Sequence, residues 1–221
     1  MSLIARDGAA SSFKPVPPGM HLARCYRVVD LGTQTSEWKG VSKQQHKIMV
    51  FFEVHGEDSD GKALVTSKGE PMTISKNYTL SLNPESRLRK DLAAWRSRDF
   101  TRQELDGFEL KNILGSWAML SVQETLGDNQ KVYTNIVGIN PVPAKMKQAG
   151  LPEGFNKTDI FDIDSPDMAL FETFSDWLKG KIKESPEWQR YDYEANENRA
   201  GADRIARQKE GLTDMEDDLP F

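Results

Sequence analysis

The sequence predicts a mainly β chain with helical additions, and three observations predict it. Apolar and aromatic residues gather in five short, strand-like runs separated by turn-forming residues. One stretch between the third and fourth runs switches to helical spacing. A last helical pattern over residues 167–183 precedes a polar, charged end.

Residues 1–19 read as a flexible lead. Gly8-Ala9-Ala10-Ser11-Ser12 is small and polar, and Pro15-Val16-Pro17-Pro18-Gly19 is a cluster of chain breakers. The first strand is expected over residues 21–31, rich in β-branched and aromatic side chains. Residues 32–45 read as a polar loop holding Trp38, Lys39 and Lys43. In the second strand, residues 46–54, Ile48, Val50, Phe52 and Val54 share one face and Lys47, Met49, Phe51 and Glu53 the other. A turn-rich stretch, 56–69, leads to the third strand at 72–82.

A helix is then expected, with Asn83 as its N-cap and Pro84 at its first position. Leu88, Leu92 and Trp95 form its apolar face, surrounded by Arg87, Arg89, Lys90, Arg96 and Arg98. Thr101 and Glu104 have the spacing of a capping box for a second short helix, and Gly115 reads as a stop. The fourth strand, 117–125, and the fifth, 131–139, flank a hairpin turn at Gly127-Asp128-Asn129. Pro141 and Pro143 end the fifth strand.

The order β-β-β-α-β-β is that of a five-stranded OB-like barrel with a helix between strands three and four. Another small β-barrel or a twisted α+β sheet is the competing reading. The barrel domain is placed at 20–145. Residues 146–190 read as a linker followed by an amphipathic helix over 167–183, carrying Met168, Leu170, Phe171, Phe174, Trp177, Leu178 and Ile182. That helix suits docking on the barrel or pairing with another subunit, so a homo-oligomer is compatible with the sequence. Residues 191–221 read as an acidic tail, expected to be disordered.

Charge is distributed unevenly along the chain. Residues 1–150 carry 20 Lys and Arg against 16 Asp and Glu, a net +4. Residues 151–221 carry 9 against 18, a net −9. A mildly basic body joined to an acidic end suits a nucleic-acid-facing domain with an interaction tail. No apolar stretch is long enough to span a bilayer, so no membrane partner is expected. The residues Met1 to Gly8 show no apolar run of signal-peptide type, and the lone Cys25 sits in a strand-like run as a small buried hydrophobe. A cytoplasmic location follows as the simplest expectation.

Catalytic readings find little purchase, and no enzyme, metal or cofactor is expected. His21, His46 and His55 have no metal-ligand spacing. Asp162, Asp164 and Asp167 begin like a calcium loop but lack its glycine and its final glutamate. Asp159, Asp162 and Asp164 read as a solvated acidic segment rather than a nuclease centre. Sequence-tolerant single-strand binding, by contrast, needs only basic side chains and aromatic platforms. On an OB-like barrel these belong on strands two and three and on the loops joining strands 1–2 and 4–5. The candidate DNA-binding residues are therefore Trp38, Lys39, Lys43, Lys47, Met49, Phe51, Lys76, Lys131 and Tyr133. Tyr78 and Trp95 are assigned to the core, Trp117 is left undecided, and the Arg87-to-Arg98 cluster reads as a solvated helix face.

Two stretches carry a resemblance. Met215-Glu216-Asp217-Asp218-Leu219-Pro220-Phe221 resembles the acidic, Pro-Phe-ending tip of bacterial single-stranded-DNA-binding proteins, with Leu219 in place of the usual isoleucine. The resemblance implies a docking peptide for replication, recombination and repair proteins. Phe221 would enter an apolar pocket, its terminal carboxylate would meet a basic residue, and the acidic residues would steer. Tyr78-Thr79-Leu80-Ser81-Leu82 through Leu88-Arg89-Lys90-Asp91-Leu92, Trp95-Arg96, Phe100-Thr101, Gly107-Phe108 and Leu114-Gly115, with Asp30-Leu31-Gly32-Thr33-Gln34, is similar to phage proteins described as single-stranded-DNA-binding. That likeness covers roughly residues 13–145 and implies an OB-fold acting in phage replication or recombination. The expected partners are single-stranded DNA and, through the tip, replication and recombination proteins. A module that captures host replication and repair proteins without binding DNA, and a strand-annealing recombinase, are the alternatives.

Overall fold

The computed structural model describes residues 15–38, 40–127 and 132–197, leaving aside the side chain of Trp38. Its strands are β1 (Gly19–Trp38), β2 (Val41–His55), β3 (Met72–Thr79), β4 (Trp117–Leu126), β5 (Val132–Asn140) and the short β6 (Asp159–Phe161). The helices are α1 (Arg87–Arg96), α2 (Arg102–Asp106), α3 (Ala144–Ala149), α4 (Met168–Glu172), α5 (Asp176–Lys183) and α6 (186–197), with a 3-10 turn at Leu110–Ile113. The chain is thus mainly β with helical additions. The sheet order is β3-β2-β1-β4-β5, and β6 pairs with β1.

The polar stretch 32–45 is strand, not loop: β1 continues to Trp38 and β2 begins at Val41. Backbone pairing needs no apolar alternation where both faces are solvated, so hydrophobic pattern understated the strands. The chain divides into two compact units, and β1 and β2 each contribute to both.

Of the described residues, the first unit holds 15–29, 49–127 and 132–160. Its core includes Cys25, Val29, Val50, Phe52, Val54, Leu88, Leu92, Ala118, Leu120 and Ile136. Tyr78 and Trp95 are buried with them, as their spacing predicted. Trp117 is half-buried, meets the His55 ring edge-on at 4.9 Å, and its carbonyl accepts the Trp95 indole N–H at 2.8 Å. Helix α1 packs against β3 and β5, and those two strands approach each other there.

The helix begins later than expected. Ser86, not Asn83, is its N-cap and accepts from the Arg89 N–H, while Asn83 accepts from the Glu85 N–H in the preceding turn. Asp91 fixes the helix from its buried face: it accepts from Lys76 at 2.6 Å and the Tyr78 hydroxyl at 2.9 Å, and pairs with Arg87 at 3.0 Å. The Thr101–Glu104 capping box is present on α2.

Residues 153–160, expected to be linker, are built into this unit around a buried acid. Glu53 is fully buried and accepts from the Phe155 and Asn156 backbone N–H groups at 2.9 and 2.7 Å and from the Asn156 amide at 2.6 Å. Arg24 reaches Glu53 at 3.2 Å and donates to the Asn156 carbonyl at 3.0 Å. Gly154 lets the segment lie this close, since a Cβ there would stand 2.1 Å from the Arg24 guanidinium. Burial works to raise the Glu53 pKa, but the hydrogen bonds from Asn156, His55 and Phe155 together hold it below the ordinary value. Asp159 accepts two hydrogen bonds from Arg27.

Of the described residues, the second unit holds 30–38, 40–48 and 161–197. Its core is aromatic: Phe161, Phe171, Phe174 and Trp188 are buried with Ile163, Leu178 and Ile182. Phe171 stacks on Trp188 at 4.4 Å between ring centres. The single helix expected over 167–183 is two: α4 ends at Glu172 with Thr173 as its C-cap, and Ser175 caps α5 by accepting from the Leu178 N–H. Phe171, Phe174, Leu178 and Ile182 face inward as the spacing predicted, whereas Met168 and Trp177 are exposed. Ser185 caps α6 through the Trp188 N–H, with Pro186 at its first position. Residues 192–197, placed in the expected disordered tail, continue α6. Among the described residues, no helix is long and apolar enough to cross a membrane.

Candidate nucleic-acid interface

Two hairpins project side chains that no core absorbs. The β1–β2 hairpin is exposed over Thr35, Ser36 and Glu37 and over Val41 to Gln44. Gly40 closes it with φ +77°, a left-handed conformation that favours glycine. Trp38 is the last residue of β1, and Lys39 lies outside the described residues. Lys43 is exposed. Lys47 is half-buried and donates to the Gln45 amide oxygen at 2.9 Å. Burial, and then the neighbouring charge of Lys43, lower the Lys47 pKa.

The root of this hairpin is pinned by polar contacts. His46 Nε2 lies 2.6 Å from Asp30, which also accepts from the Gly32 N–H at 2.8 Å. Thr33 donates from both its N–H and its hydroxyl to Glu187 on α6, at 2.9 and 2.6 Å. Gly32 permits that approach, because a Cβ there would lie 2.7 Å from Ser185. Burial, only partly opposed by these donors, raises the Asp30 pKa.

The β4–β5 hairpin is exposed on both faces toward its end. Gln123, Glu124, Thr125 and Leu126 oppose Asn135, Thr134, Tyr133 and Val132. Leu126 is 68% exposed, Val132 53% and Tyr133 47%. A bulge lies beneath them: Ser121 pairs with Gly138 and Val122 with Ile136, so Val137 has no opposite number. The Val137 carbonyl accepts from Arg87 of α1. Lys131 and the turn at Asp128-Asn129 lie outside the described residues.

Three expected sheet candidates look different in the fold. Met49 is buried at 4% exposure, so it offers no surface to a base. Its face of β2 is covered rather than open. Phe51 is half-buried, its ring 6.2 Å from that of Tyr26. Lys76 is committed to Asp91, with its side chain only 13% exposed. The acidic tip Asp217-Asp218-Leu219-Pro220-Phe221 lies outside the described residues.

The basic cluster of α1 is largely matched by acids. Arg87 pairs with Asp91, Arg89 with Asp99, Lys90 with Glu85, and both Arg96 and Arg98 with Glu104. Hydrogen bonds from Arg98 and then from the Thr101 backbone hold the Glu104 carboxyl at about 2. Asp162 accepts from the Asp164 N–H in a tight turn. Among the described residues, no three His, Cys, Asp or Glu side chains converge as a metal site.

Comparison with known proteins finds no matching family model and no matching curated sequence.

Proposed function

We propose that this chain binds single-stranded DNA with little sequence preference, as a phage replication or recombination protein, and recruits partner proteins through Asp217, Asp218, Leu219, Pro220 and Phe221. One observation carries the reading: the hairpins joining β1 to β2 and β4 to β5 are each exposed on both faces, on a sheet ordered β3-β2-β1-β4-β5. On an OB-like barrel these are the two connections that grip oligonucleotides. Lys43 is exposed on β2 of the first hairpin and Tyr133 on β5 of the second, the basic and aromatic residue types that sequence-tolerant strand binding uses; Lys39 and Lys131 lie outside the described residues. Lys47 and Phe51, both half-buried, extend the first strand pair as secondary candidates.

Fluorescence anisotropy of a labelled oligo-dT against the full-length chain tests the reading. Binding at low salt that weakens steeply as salt rises is the expected result, since released counterions set the slope. Absence of binding at low salt overturns it.

A further inference from the structure

The first unit contains a cleft of about 640 Å³ on its helical side, lined by α1, α2, the 3-10 turn and the chain entering α3. Its cations are Arg96, Arg98 and Lys147, and Glu104 is its carboxylate. Glu104 is shared by both arginines, and Lys147 has no carboxylate partner among the described residues. The four groups therefore leave a net charge of +2. Arg96 forms the floor, with its guanidinium carbon 4.6 Å from the Phe100 ring centre and 5.0 Å from that of Phe108. Its Nη1 is buried without a hydrogen-bond partner. Phe108, Trp95 and Pro141 supply apolar wall.

A cleft of this size takes a small organic ligand, typically of about 300–1,000 Å³. Its charge selects the kind. A terminal phosphate carries roughly −1.5 to −2 near neutral pH, close to the surplus in the cleft. A phosphodiester, with a single charge, leaves one cation unanswered. Arginine and aromatic faces suit a planar base beside that phosphate.

We propose that this cleft binds a nucleotide through its terminal phosphate, held by Arg98 and Lys147 above Arg96. The ligand is a free mononucleotide or the phosphorylated end of a strand, and the two share this chemistry. The cleft shares no lining residue with the exposed hairpins, and nucleotide binding there does not require strand binding at them.

Saturation-transfer NMR and calorimetry on the full-length chain, with dTMP and thymidine as probes, test the proposal. Binding of dTMP about tenfold or more tighter than thymidine is expected, because the phosphate supplies the charge-assisted bonds. Arg98→Glu with Lys147→Glu lowers dTMP affinity by about tenfold or more. Lys147→Glu alone, at an exposed and otherwise unpaired position, gives a smaller loss in the same direction. Lys68→Gln, exposed in the same unit and outside the cleft lining, leaves dTMP binding unchanged. Equal binding of thymidine and dTMP, no dTMP binding at millimolar concentration, or indifference to the charge reversals overturns the proposal. Displacement of dTMP by 5′-phosphorylated dT5 but not by its 5′-hydroxyl form assigns the strand end, and displacement by neither assigns the free nucleotide. Equal displacement by both overturns the need for a terminal phosphate. Failure of oligo-dT binding with dTMP binding intact removes the hairpin reading and leaves the cleft standing.

Discussion

Residues 49–54 of β2 and the outer half of the β4–β5 hairpin are both paired strand, yet one is covered on two faces and the other on none. In β2, Val50, Phe52 and Val54 face the core, while Met49 and Glu53 on the opposite side are buried as well. In the hairpin, Gln123 to Leu126 stay exposed on either side. The difference is what crosses the strand. Residues 155–156 lie over Glu53 and answer its carboxylate, whereas Gln123 to Leu126, Val132 and Tyr133 of the hairpin stay exposed. Covering turns a strand into scaffold, and leaving it bare keeps its side chains for a partner.

The largest test of this contrast falls on the covered strand. Glu53→Gln replaces an acceptor of several N–H groups by an amide that satisfies only some of them and leaves Arg24 without its counter-charge. A loss of about 3 kcal/mol in urea unfolding is expected. Because the folded Glu53 pKa lies below its ordinary 4.5, its contribution is complete above that pH and is lost as pH falls through the folded value. The acid limb of the stability profile should therefore be shallower in the variant.

Next in size is Tyr133→Ala on the bare hairpin. Oligo-dT binding should weaken by about 1–3 kcal/mol, the range for one stacked base, with unfolding free energy changed by less than ~0.5 kcal/mol. Weaker folding with unchanged affinity would place Tyr133 with the scaffold instead. Lys43→Gln is the smallest effect: the slope of log affinity against log salt should flatten by about one, uniformly across sequences.

The sequence revealed what is local. The Thr101–Glu104 capping box is four residues long, and the face shared by Ile48, Val50, Phe52 and Val54 is contiguous, so both were legible. The second face of β2 was not, because its cover comes from Asn156, 103 residues beyond Glu53. A charged residue between apolar neighbours was the available signal, and alternation set it on the face opposite Ile48, Val50, Phe52 and Val54. The hairpin candidates were placed by element order alone, which set Tyr133 on an exposed strand but read the strand that carries Lys43 as a loop and mistook Met49 and Lys76 for surface. The helix start at Ser86 was hidden because Asn83 and Ser86 are both good caps, and the hydroxyl of Ser86 is anchored by the Ser81 carbonyl.

Cys25 lies at the centre of the sheet, fully buried, its backbone paired with Gly115 and Ser116. Burial pushes its thiol up to about 12, against the pull of Arg24 and the backbone of Arg27. At neutral pH the chain's single sulfhydryl is thus chemically silent while β1 stays paired. Its alkylation becomes a clock for separation of the central strands, and a cysteine introduced on either hairpin would be the one site that labels in the folded protein.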